Sequence, residues 1–104
     1  MQLLLTIEEL RMVARVLEKC LAQSQADPRQ REIANRLLGK VIERDLRLSA
    51  DELEDLAGLL STCRLELKAR IASEMDPSMK AALIEQRNVL EHASDKVTEA
   101  CAMA

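Results

Sequence analysis

The chain has 104 residues, 48% of them hydrophobic and 32% charged, with a net charge of −3 and no Phe, Tyr or Trp. That balance excludes a disordered chain and predicts one domain, spanning residues 1–104, with an aliphatic core of Leu, Ile, Val, Met, Ala and Cys. The acidic total argues against nucleic acid or an anionic membrane as a partner of the whole molecule, and no apolar run approaches the roughly 20 residues that cross a bilayer.

Met1-Gln2 leads straight into Leu3-Leu4-Leu5 and a helix cap, without a basic or extended apolar leader, so the expected location is cytoplasmic. Thr6 and Glu9 then form an S/T-x-x-E capping box, in which hydroxyl and carboxylate satisfy each other's backbone N–H groups at a helix start. The first helix is predicted over about 7 to 25, with Leu10, Val13, Leu17, Cys20 and Leu21 at spacings of three and four. Asp27-Pro28 opens a second helix, because Asp is a good N-cap and Pro loses nothing by lacking an N–H at the first position. It runs to about 46 with Ile33, Ala34, Leu37, Leu38, Val41 and Ile42 on its apolar face.

Ser49 and Glu52 repeat the capping box and open a third helix over about 50 to 75, through Leu53, Leu56, Leu60, Cys63, Leu67 and Ile71. Asp76-Pro77 opens the fourth, over about 77 to 102, through Met79, Leu83, Leu90, Val97 and Cys101. The predicted fold is therefore all-α: four amphipathic helices in two consecutive antiparallel hairpins, about 6–47 and 49–102, packed as an up-down-up-down bundle. The two boxes are offset by 43 residues (Thr6 to Ser49), but two units fall short of the three that a repeat array needs. Gly39 and Gly58 interrupt helical patterns and are expected to permit close helix approach.

No catalytic, cofactor or metal signature emerges. The single histidine, His92, is expected to face solvent beside Glu85, Asp95 and Glu99, with Ser94 well round the helix, and the E-x-x-H spacing of di-iron bundles is missing. Zinc needs thiolates at about 2.3 Å, whereas Cys101 is expected near the opposite end of the bundle from Cys20 and Cys63. An odd number of cysteines argues for reduced, structural thiols. A phosphate-cradling loop needs several glycines, and the predicted loops hold none.

Two features concern partners. Arg29, Arg36, Lys40, Arg44 and Arg47 fall within about 80° on a helical wheel, a basic stripe on helix 2. Residues 28–48 carry six positive and three negative charges and residues 49–75 the reverse, so the acidic start of helix 3 is expected to neutralise the stripe. Its other use, docking nucleic acid or an anionic protein, is weakened by the lack of aromatic stacking groups. The second feature is length, since helix 3 overshoots helix 1 by about seven residues, or roughly 10 Å. Ile71, Met75, Met79 and Leu83 would line that tip, and the flexible thioether of methionine suits an adaptable contact. These four residues are the expected partner-binding set. The function they imply is a non-enzymatic protein–protein interaction module, in the first place a homodimer. A small acidic chaperone-like or antagonist binding factor, and a nucleic-acid-associated regulator using helix 2, are the alternative classes.

Overall fold

The computed structural model describes residues 3–22 and 27–103. It contains four α-helices, α1 (Ile7–Ala22), α2 (Pro28–Ile42), α3 (Ala50–Ser73) and α4 (Pro77–Met103), in a molecule measuring 40 × 29 × 23 Å. The packing is that of a small helical bundle: α3 lies against α4 and α1 against α2, with α1 also touching α3 and α4. The end predicted for helix 1 beyond Ala22 lies outside the described residues.

All four start signals act as sequence chemistry predicts. Thr6 N–H donates to Glu9 Oε1 and Glu9 N–H to Thr6 Oγ1, both at 3.2 Å. Ser49 and Glu52 exchange the equivalent bonds at 3.1 and 3.2 Å. Asp27 Oδ1 accepts from Arg29 N–H and Asp76 Oδ1 from Ser78 N–H, each at 3.0 Å, one residue past the proline. Each cap satisfies N–H groups that a helix start otherwise leaves without partners, which stabilises by about 1 kcal/mol per site.

Helix 2 stops at Ile42, four residues earlier than its apolar pattern suggests. Asp45 N–H returns to the Lys40 carbonyl and Arg44 N–H to the Val41 carbonyl, a Schellman ending with Arg44 at φ 58°. Beyond it the chain is extended, and Leu46 and Leu48 turn into the core as non-helical residues. Leu46 also accepts a 2.9 Å hydrogen bond from Leu3 N–H, which brings the buried Leu3 alongside. Ile42, expected on the apolar face, is exposed instead, because it lies about 100° round the helix from the buried Val41, at the edge of the stripe.

The core is aliphatic throughout. Val13 and Leu17 from α1, Leu37 from α2, Leu53, Leu56 and Leu60 from α3, and Leu90 and Val97 from α4 are its largest fully buried side chains. The two glycines do not mediate close approach: a methyl group built on Gly39 or Gly58 would meet no atom within 4 Å. Both sit on exposed helix surface, where glycine carries only its backbone-entropy penalty. Gly39→Ala and Gly58→Ala are each expected to stabilise the fold by roughly 0.5–1 kcal/mol, read as a rise in the urea midpoint without change in slope. A destabilised Gly58→Ala variant would mean that its surface is covered.

Candidate functional site

The α3–α4 connection is only three residues long, Glu74-Met75-Asp76. It is tied by Asp76 N–H to Glu74 Oε1 at 3.1 Å and by Glu74 N–H to the Ile71 carbonyl at 3.4 Å. The four residues expected to form a surface here are divided by the turn. Ile71 and Leu83 are 9% and 3% exposed and belong to the core, whereas Met75 is 93% and Met79 49% exposed. Helix 3 ends at Ser73 instead of reaching Met75, so Met75 stands at the apex of the connection and not on the apolar face. Met79, in the first turn of α4, lies four residues along on the same exposed end.

A second exposed apolar surface escaped the sequence pattern. Leu4, just before α1, Ile7 at its first position and Ile42 at the last position of α2 are all exposed. The Leu3–Leu46 backbone hydrogen bond holds their two chain segments together. The sequence signal was the Leu3-Leu4-Leu5 run, which supplies more apolar side chains than one face of an extended segment can bury.

The charged groups with shifted ionisation belong to the caps. Burial pushes the Glu9 carboxyl up, but hydrogen bonds from Lys96 and Thr6 outweigh it and hold the group below the ordinary glutamate value. Lys96 Nζ lies 2.6 Å from Glu9 Oε1, the same oxygen that caps α1, so one carboxylate fastens α4 to the start of α1. Glu52 repeats the device: Lys40 Nζ at 2.8 Å, together with the Ser49 backbone, lowers its carboxyl and ties α2 to the start of α3. In both glutamates Oε2 is buried without a hydrogen-bond partner.

The basic stripe is dismantled by the early end of α2. Arg44 and Arg47 leave the helix, Arg47 lies 3.9 Å from Asp45, Arg36 3.7 Å from Glu32, and Lys40 is engaged by Glu52 and by the Arg47 carbonyl. His92, Glu85, Asp95 and Glu99 are exposed, while Ser94 is buried. The three cysteines are free and half-buried, and burial pushes the Cys63 thiol up, away from the reactive thiolate. Cys20 and Cys63 line one small cavity of about 90 Å³, with Lys19 and Glu66 paired across it at 3.2 Å. Among the described residues no group of three His, Cys, Asp or Glu side chains is placed to share a metal ion, and no helix is long and apolar enough to cross a membrane.

Compared with protein-family models, curated proteins and solved structures, the chain matches none.

Proposed function

We propose that this chain is a non-enzymatic, cytoplasmic protein–protein interaction module that pairs with a second copy of itself through the α3–α4 turn. The observation that carries the reading is the pair Met75 and Met79, presented to solvent on a short, capped connection between the two longest helices. Leaving such side chains in water costs about 25 cal/mol per Å² of apolar area, and methionine adapts to irregular contacts. The two perturbed carboxylates, Glu9 and Glu52, are occupied in capping and cross-helix pairing, which supports a structural use over acid–base chemistry. Free thiols at Cys20, Cys63 and Cys101 suit a reducing compartment. A chaperone-like or antagonist factor would use the same turn with a foreign partner. The nucleic-acid reading loses support with the stripe on α2.

Sedimentation velocity tests the reading. Wild-type protein is expected to dimerise at high micromolar concentration, and Met75→Glu/Met79→Glu to weaken the dimer at least tenfold by placing charges in a desolvated contact. Both sites are exposed, and Glu near the start of α4 favours the helix, so the fold should survive. A dimer unaffected by that pair but lost in Leu4→Glu/Ile42→Glu would move self-association to the opposite surface. A wild-type monomer would remove the second copy as the partner.

A further inference from the structure

A trough runs between α1 and the α3–α4 hairpin. It consists of two cavities of about 290 and 110 Å³ that share Met12, Arg15 and Gln86 and so form one continuous depression. Its apolar lining is Met12, Ala82 and Val89 at the surface, above the buried Val16, Leu67 and Leu90. Its charges are Arg11, Arg15, Lys19 and Arg70 against Glu8 and Glu85; Lys19 is paired with Glu66 at 3.2 Å, and the three arginines exceed the two glutamates in a chain whose total is −3.

Three arginines of this face stand outside the ion pairs of the fold. Among the described residues Lys19, Arg36, Lys40, Arg47, Arg64 and Lys96 each have a carboxylate within 4.0 Å. Arg11, Arg15 and Arg70 line the trough and have no carboxylate among those pairs. Guanidinium groups bind carboxylates in planar, two-point geometry, so three of them beside an apolar floor form a surface complementary to an acidic, amphipathic partner.

The walls decide the partner's shape. They are helices, whose backbone groups are internally paired, so an extended peptide finds no sheet edge to join. Along α1 the lining runs from Glu8 to Lys19, roughly 16 Å at 1.5 Å per residue, the length of three helical turns. We propose that this trough docks an acidic amphipathic helix of a partner protein, its leucine-like face on Met12 and Val89 and its flanking carboxylates on Arg11, Arg15 and Arg70. This surface is separate from the α3–α4 turn, and either can fail without the other.

The test uses the full chain and two fluorescein-labelled 16-residue peptides of identical leucine spacing at i, i+4, i+7 and i+11. One carries glutamates at the flanking positions and the other lysines. Anisotropy titration is expected to show saturable binding of the glutamate peptide, weakened at least tenfold by Arg15→Glu/Arg70→Glu and by a tenfold increase in salt. Arg36→Glu on α2 should leave it unchanged, and the lysine peptide should not bind. Circular dichroism checks the fold of the reversed variant, and Arg15→Gln/Arg70→Gln replaces it if it is unfolded. Three results would overturn the proposal: no binding of the glutamate peptide, equal binding by the reversed variant, or equal binding of the lysine peptide. If a labelled DNA duplex binds more tightly than the glutamate peptide and loses affinity in the same variant, the trough is a nucleic-acid surface. If Arg15→Glu/Arg70→Glu instead abolishes a wild-type dimer in sedimentation, the occupant is a second copy and the partner-helix assignment falls.

Discussion

Replacing Glu9 with alanine is expected to lower the unfolding free energy by about 2 kcal/mol. The carboxylate is buried and does two things through one oxygen: Oε1 accepts from Thr6 N–H and from Lys96 Nζ. Losing the cap costs about 1 kcal/mol. Losing the cross-helix pair adds about as much, below the 3–5 kcal/mol of a fully buried pair, because Lys96 is 40% exposed and can return to water. Glu9→Gln separates the two contributions, since Gln also completes a capping box but carries no charge. That variant should lose about 1 kcal/mol at neutral pH.

The acid limb has a defined sign. The folded-state carboxyl of Glu9 lies below its ordinary value of 4.5, and that of Glu52 does likewise, so below that value the unfolded chain binds more protons than the folded one. The stabilisation from each is fully present above about 4.5 and is lost as pH falls through the lowered folded-state value. Wild type should therefore lose stability steeply in that window and Glu9→Gln less steeply, the two curves converging in acid. Urea titrations followed by far-UV circular dichroism at several pH values measure this. A Glu9→Gln variant as stable as wild type at neutral pH would show that the Lys96 contact contributes nothing.

The second large effect is expected at a leucine that lies in no helix. Leu46→Ala should destabilise by about 2–3 kcal/mol, the cost of lost burial plus the cavity left behind, whereas Leu65→Ala, inside α3 but exposed, should stay within about 0.5 kcal/mol. Leu46 is buried beside Leu48 in the segment between α2 and α3, and its carbonyl anchors Leu3. Helical content should be unchanged while the urea midpoint falls. Equal midpoints for the two variants would mean that the 43–49 segment is not packed as described.

What the sequence determined by itself was local. The four helix starts are legible because a capping box or an Asp-Pro pair acts within three residues, and the apolar periodicity of Leu53, Leu56, Leu60, Leu67 and Ile71 follows from helix geometry alone. The end of α2 was not legible. Ile42 and Leu46 are four apart and continue the helical pattern, and Arg44 is an uncommon residue for the left-handed position that stops it. Tertiary structure makes that choice, because burying Leu46 and Leu48 in extended chain outweighs another turn of helix. The same distinction divides the expected partner set. Spacing alone places Ile71, Met75, Met79 and Leu83 together, but the end of α3 at Ser73 sends the methionines to solvent and keeps the other two in the core. Nor can periodicity reveal that Glu9 meets Lys96, 87 residues away, or that Arg11, Arg15 and Arg70 share one trough. Local hydrogen bonding sets where helices begin. Which side chains meet across them is set by how the helices pack, and no residue's near neighbours in the chain encode that.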